Sequence, residues 1–317
     1  LKVLIIGSGY MANEYCNVLN DLDVEICVVG RSKINCEKLK VQFPQISIIS
    51  GGIENYDQVS QYQYAIITSN VEYLFEHTKL VLESGIKNIL VEKPGGKNLS
   101  EIEKLYSLSK LFKSNLFIAY NRRFYSSVDK FRELLSSDTK ILSFNFEFTE
   151  WPHTLELLEN QEAVKENLLY ANSTHLIDLA FFLCGKPSKL IGISADKLDW
   201  HKKAIYAGAG VTENGSIFSY QANWKGPGRW GIEIITENFR YYFRPLEELW
   251  IQEQKTVKLE KVELDNSIDV KYKPGLFNQV NAFLFDQNDD RLINIESQYF
   301  NCKLIYETML DGNYQLD

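Results

Sequence analysis

The sequence predicts an α/β domain on a doubly wound parallel sheet, followed by an α+β domain on a large, mostly antiparallel open sheet. Three observations carry this. Short β-branched runs alternate with longer amphipathic stretches through about residue 120, the pattern of parallel strands joined by crossover helices. A glycine-rich turn sits at the first strand-to-helix junction. Further on, several short strands follow one another, separated by turn signals, with few helices between them. At 317 residues the chain is longer than one hydrophobic core usually serves. Two domains are therefore expected, 1–120 and 121–317.

In chain order, VLIIG, VEICVVG, ISIIS, YAIITS, NILVEKP and LFIAYN supply six strands. The helices between them are expected over 11–19, 35–43, 72–84 and 99–113, the last opened by Ser100 as a cap. A helix over 126–135 leads into ILSFNFEFTEW, where Leu142, Phe144, Phe146 and Phe148 recur with a period of two and form the expected buried face. A helix over 168–183 stops at Gly185, before Pro187. KLIGISA, AIYAGAGVT, GSIFSYQANW, WGIEIIT and FRYYFRP then read as neighbouring strands, and helical periodicity returns over 275–285 and 296–309.

Bulk properties exclude several classes. A net charge of -8 opposes binding to phosphate backbones, so no nucleic-acid partner is expected. No apolar run approaches the ~20 residues that span a bilayer, and the N-terminal LKVLIIG reads as a strand and not as a signal segment. A cytoplasmic protein without a membrane partner is expected. The five cysteines, Cys16, Cys27, Cys36, Cys184 and Cys302, are scattered and odd in number, which suits reduced thiols better than a disulfide framework or a zinc site, and no metal is expected.

The turn after the first strand is Gly7, Ser8, Gly9, Tyr10, Met11, Ala12, a G-x-G-x-x-A that opens a helix. The first glycine suits a tight turn, the second lets backbone amides approach a pyrophosphate, and a small third residue fits where helix meets strand; the helix N-terminus adds amide donors and partial positive charge. This is the Rossmann fingerprint for a dinucleotide. The second strand ends at Gly30, Arg31 and Ser32, where an NAD site usually presents an acid to the ribose hydroxyls. No acid is present. Gly30 leaves room, and Arg31 with Ser32 can meet a ribose 2′-phosphate, so NADP is preferred over NAD; the competing reading makes Ser32 a helix N-cap and Arg31 solvated surface. Thr68, Ser69 and Asn70, after the fourth strand, complete the expected cofactor-binding set on this side.

At the carboxyl end of the fifth strand stand Glu92, Lys93 and Pro94. With the fingerprint, with Tyr120, Asn121, Arg122, Arg123 and Phe124 at the crossing into the second domain, and with Asn172, Ser173, Thr174, His175 and Asp178 on its long helix, the chain resembles the Gfo/Idh/MocA family (glucose-fructose oxidoreductase, inositol dehydrogenase, rhizopine catabolism). The resemblance covers most of the chain. It implies that Glu92, Lys93 and Pro94 lie against the nicotinamide, that Pro94 follows a cis peptide, that Lys93 also reaches substrate, and that His175 contacts the reacting hydroxyl. Lys93 and His175 are thus the catalytic candidates: one group must take the hydroxyl proton and another must stabilise the developing alkoxide. His175 suits the proton transfer and Lys93 the charge-stabilising role; the alternative makes Lys93 the proton carrier, with its pKa depressed by burial and neighbouring charge. Asp178, three residues after His175, shares its helical face and is placed to orient the ring or bind a hydroxyl.

One departure stands out. Many members of the family carry an aspartate four residues before this histidine; here the place is Ala171, beside Asn172. Some members acting on sugars of surface polysaccharides are similar in having Asn-Ser-x-His here. Tyr120, Asn121, Arg123, Asn172, His175 and Asp178 form the expected substrate-binding set, with Arg123 either gripping an anionic group or serving a structural ion pair that bridges the domains. The resemblance implies an NAD(P)-dependent oxidoreductase moving a hydride to or from a sugar-like substrate: a cyclic polyol, aminosugar or nucleotide-linked sugar, the last preferred. Two rivals stay open, a non-catalytic dinucleotide-binding sensor or assembly protein and a redox-neutral lyase or glycosidase. The open sheet implies a homo-dimer or homo-tetramer.

Overall fold

A computed structural model describes residues 1–135, 139–156 and 162–311. The chain opens with β1 (Lys2–Ile6), α1 (Tyr10–Asn20), β2 (Glu25–Gly30), α2 (Lys33–Gln42), β3 (Ser47–Ser50), β4 (Tyr64–Ile67), α3 (Val71–Glu83), β5 (Asn88–Glu92), α4 (Leu99–Phe112) and β6 (Asn115–Ala119). It continues through α5 (Ser126–Leu134), β7 (Ser143–Glu147), α6 (Pro152–Glu156), α7 (Glu162–Glu166), a wide π-type turn (Leu169–Ser173) and α8 (Thr174–Cys184). Then come β8 (Pro187–Ala195), β9 (Ile205–Thr212), β10 (Ile217–Asn223), β11 (Gly231–Ile235), β12 (Phe239–Phe243), β13 (Trp250–Glu253) and β14 (Glu260–Lys261). The chain closes with α9 (Ser267–Lys271), α10 (Leu276–Phe285), β15 (Ile293–Asn294), α11 (Ile295–Asn301), a second π-type turn (Cys302–Tyr306) and α12 (Glu307–Asp311).

Two compact units result, Leu1–Asn121 with Ile268–Tyr299, and Arg122–Ser267 with Phe300–Asp317. In the first, the sheet order is β15-β6-β5-β4-β1-β2-β3, parallel except for β15, which pairs antiparallel with β6. Apolar runs such as Val3, Leu4, Ile5 and Ile6 are buried on both faces, as crossover helices require. The chain order reverses beside β1, so the carboxyl ends of β1 and β4 flank a crevice where ligands of this architecture collect.

The reading that placed everything after residue 120 in the second domain differs from this division. Residues Ile268–Tyr299 return to the first unit. Phe283 of α10 packs edge-on against Tyr64 and Phe117, and Lys271 and Tyr272 bond Asp21 at the end of α1. Periodicity announces an apolar helix face without saying which core receives it. A smaller difference concerns α4, which is capped by Asn98, whose side chain accepts from the backbone of Glu101, and not by Ser100.

The second unit holds an eight-stranded sheet, β14-β13-β12-β11-β7-β10-β9-β8, antiparallel except for the pairing of β7 with β10. Phe144 and Phe146 of β7 and Phe218 of β10 meet Phe181 of α8. That helix is buried around most of its circumference, which explains its nearly all-apolar sequence. Leu142, expected with the buried phenylalanines, precedes the strand and is 46% exposed. On the other face of the sheet Ile191, Ile193 and Ile217 are exposed.

Candidate functional site

The site residues of the two units are described separately. In the first unit Gly7 adopts φ +118°, and a Cβ there would stand 2.6 Å from Thr68 Oγ1, so the tight turn after β1 admits only glycine. Gly9 is the N-cap of α1, with no side-chain cap, and a Cβ built on it meets nothing within 4 Å. Open space therefore faces the uncapped amides at the start of α1, the cradle a pyrophosphate needs. Ala12 is fully buried, whereas Tyr10 is 65% exposed, with Lys273 lying 5.3 Å from its ring centroid. The fingerprint thus fits a dinucleotide on the geometry of its backbone.

Beside it lies a cavity of about 150 Å³ whose lining includes Gly7, Gly9, Arg31, Ser32, Thr68, Ser69 and Asn70. Gly30 does not leave room for the ligand: a Cβ there would meet Ser8 Oγ at 2.4 Å and Cys36 Sγ at 2.6 Å, so the space is taken by the protein. Ser32 is the N-cap of α2, accepting from the Asn35 amide at 3.3 Å. Arg31 rests its guanidinium 4.3 Å above the Tyr73 ring.

Among the residues of this cavity that sequence reasoning missed are Glu54 and His77. His77 Nδ1 lies 2.6 Å from Ser69 Oγ, and Nε2 lies 3.1 Å from Glu54 Oε1. Burial holds the His77 pKa below its ordinary value against the opposing pull of Glu54. The Glu54 carboxyl is lowered by its own backbone amide, then by His77 and Arg31, with desolvation opposing.

The peptide between Lys93 and Pro94 is cis. Gln298, fully buried, donates from Nε2 to Pro94 O at 3.1 Å and to Tyr120 Oη at 3.0 Å, tying this turn to the end of β6. Glu92 accepts from Tyr15 Oη at 2.9 Å, and burial raises its pKa although Lys93, Tyr15 and Lys273 all favour the charged form. Asn121 donates to Pro274 O at 2.8 Å. Tyr120 and Asn121, expected to bind substrate, are 1% and 6% exposed and engaged within the unit.

In the second unit, His175 is the second residue of α8, 6% exposed, with its ring centroid 6.3 Å from that of Trp230. Arg122 and Arg229 lie 4.6 and 4.9 Å from the Trp230 ring centroid, and Arg229 also lies 4.7 Å from that of Trp151. Burial lowers the Arg122 pKa from its ordinary value; Tyr125, Glu247 and Glu150 oppose this and Arg229 adds to it. Asn172 donates to Glu150 Oε2 at 2.9 Å and Ser173 to Glu150 Oε1 at 2.7 Å. Glu150, 2% exposed at the exit of β7, brings a carboxylate to the turn that has Ala171 in place of an acid. Its sequence signal, an acid just past an alternating strand, is too common to single it out.

Asp178 and Arg123 meet each other. Arg123 Nε and Nη2 donate to the two carboxylate oxygens at 2.7 and 2.6 Å, with the side chains 9% and 1% exposed. This realises the structural ion pair anticipated for Arg123, but within one unit instead of bridging two. Asp178 thereby spends its oxygens on the arginine, one helical turn from the histidine it was expected to orient.

Comparison with known proteins agrees with this architecture. A family model described as the oxidoreductase family, NAD-binding Rossmann fold, matches residues 1–120. An uncharacterized oxidoreductase of Escherichia coli (strain K12), YdgJ, is 26% identical over 192 residues, 59% of this chain and 54% of the relative, so the match spans about half the length of that protein. Solved structures share the fold over nearly the whole chain. An oxidoreductase from Agrobacterium radiobacter in complex with NAD+, L-tartaric acid and magnesium superposes with a TM-score of 0.79 at 13% identity, covering 100% of this chain and 98% of that one. A levoglucosan dehydrogenase gives 0.77 at 16%, covering 98% and 96%. A UDP-N-acetylglucosamine 3-dehydrogenase from Acidithiobacillus ferrooxidans gives 0.74 at 13%, covering 98% and 98%. Residues 1–120 thus match the oxidoreductase family with an NAD-binding Rossmann fold, and the solved structures share the fold of the chain as a whole.

Proposed function

We propose that the protein is a nicotinamide-dependent oxidoreductase that interconverts a hydroxyl and a keto carbon of a sugar or sugar derivative. The observation that carries this reading is the pairing, on one sheet edge, of the open cradle at Gly9 with the Lys93–Pro94 turn. The bound dinucleotide supplies the hydride acceptor or donor. The chain's residues handle the proton. Lys93 offers its ammonium to the reacting oxygen, and a ring nitrogen of His175 takes the proton as alkoxide character develops, or the two exchange these roles. Asn172, fixed by Glu150, is the further polar group for a substrate hydroxyl.

The sugar class rests on relatives of the same fold, among them proteins named for levoglucosan and for UDP-N-acetylglucosamine. A nucleotide-linked sugar is our first choice, and the stacked Arg229, Trp151 and Trp230 offer aromatic and cationic surface for such a ligand. The preference for NADP read from the sequence rests on Arg31, whose guanidinium lies over the Tyr73 ring. The exposed isoleucines of the open sheet suit a homo-dimer or homo-tetramer, and a cytoplasmic location belongs to the same reading.

The test is turnover on a panel of sugars and sugar nucleotides with NAD+ or NADP+, repeated in Lys93→Ala and His175→Ala. Hydride transfer that disappears in the first variant and falls at least about 100-fold in the second is expected. Unchanged turnover in both would overturn the assignment. Cofactor binding without turnover on any substrate would favour the non-catalytic rival, and product formation with no net cofactor oxidation would favour the lyase.

A further inference from the structure

We infer that Glu54 is the carboxylate that reads the adenosine ribose of the cofactor, standing in for the acid absent from the end of β2, and that the site is thereby built for NAD. This rests on the dinucleotide reading above. Three independent features place Glu54 there.

First, the loop carrying it is fastened to the end of β2. The amides of Gly51 and Gly52 donate to Gly30 O at 3.0 and 3.2 Å, so the turn Ile53–Asn55 starts beside the position where an acid normally follows this strand. Second, the backbone makes room for the carboxylate. Gly52 has φ +85°, and a Cβ there would stand 2.4 Å from Glu54 Oε2. Third, the carboxylate is oriented from behind. His77 holds Oε1 through Nε2, and Ser69 Oγ holds the opposite ring nitrogen.

A neutral imidazole whose Nδ1 accepts from Ser69 carries its proton on Nε2, pointing at Glu54. The Glu54 side chain is nevertheless 53% exposed and lines the cavity beside Gly9, so lone pairs stay available to a ligand. A carboxylate accepts hydrogen bonds from the two vicinal hydroxyls of a ribose. Toward a 2′-phosphate it presents only repulsion, and the nearby cation, Arg31, is drawn onto the Tyr73 ring.

The decisive experiment is fluorescence titration of the whole chain with NADH and NADPH, in wild type, Glu54→Gln and His77→Ala, with thermal melts to verify folding. The wild type is expected to bind NADH more tightly. Glu54→Gln should weaken NADH about tenfold or more and spare or strengthen NADPH, as expected when a charge-assisted hydrogen bond is lost and a repulsion is relieved. His77→Ala should shift the ratio in the same direction to a smaller extent. Folded Glu54→Gln with an unaltered NADH-to-NADPH ratio would overturn the inference, as would a wild type that prefers NADPH. A folded wild type that binds neither would overturn the dinucleotide reading itself, an outcome distinct from both.

Discussion

Arg123 and Asp178 form a two-point ion pair, 2.7 and 2.6 Å long, in which both partners are almost wholly buried. Removing one partner of such a pair strands the other charge without water. Asp178→Asn is therefore expected to lower the unfolding free energy by about 3–5 kcal/mol. Urea denaturation measures this directly. A variant as stable as wild type that shows only a raised KM would instead return Asp178 to the substrate.

Tyr15 and Glu92 make a second prediction. The phenol is a donor within 2.9 Å of a carboxylate that burial already disfavours in its charged form. Tyr15→Phe should cost about 1–3 kcal/mol by leaving that oxygen unsatisfied. Glu92→Gln should have the opposite sign. The raised folded pKa penalises stability above the folded value, so the amide is expected to melt no lower than wild type at pH 7, and a drop in Tm would refute this account.

The acid side of the stability profile is set partly by histidines. Desolvation lowers the folded pKa of both His77 and His201; Glu54 and Glu76 oppose this at His77 while Arg31 adds to it, and at His201 the Lys203 carbonyl opposes it and Lys202 adds to it. For a base with a depressed folded pKa, the unfolded chain takes up the proton first. Stability is then full above about pH 6.5, the unfolded value, and is lost as pH falls through the lower folded values. Tm should decline from pH 7 to pH 5, and less steeply in His201→Gln.

Gly30 yields a steric prediction. A Cβ there would lie 2.5 Å from Ser8 Cβ, an atom that cannot rotate away. Gly30→Ala should destabilise by roughly 1–3 kcal/mol and weaken dinucleotide binding, because Ser8 belongs to the glycine turn. Combining it with Ser8→Gly should recover part of both losses, measured by melting and by titration; no recovery would place the strain elsewhere.

How much of this was written locally in the chain differs by element. The parallel strands were legible because burial on both faces demands runs such as Val3 to Ile6, and β7 because Phe144, Phe146 and Phe148 alternate. The short strands Trp250–Glu253, Glu260–Lys261 and Ile293–Asn294 were not, since such brief runs carry no period. The glycine turn was visible because its residues stand at fixed offsets from a strand end, whereas Lys93 with Pro94 and His175 were singled out by the family resemblance. Glu54, His77, Glu150 and Gln298 were not. Their partners lie 8 to 204 residues away along the chain, and only the folded backbone relates them.

The return of Ile268–Tyr299 to the first unit has a bearing on how the protein is made. A ribosome delivers the glycine turn long before α10, which receives Tyr64 and Phe117, and Gln298, which fixes the Lys93–Pro94 turn. A nascent chain stopped before Ile268 would hold the fingerprint with its supports still untranslated. Dinucleotide capture would then wait for the translation of Gln298, which makes the first part of the site to be encoded the last to be completed.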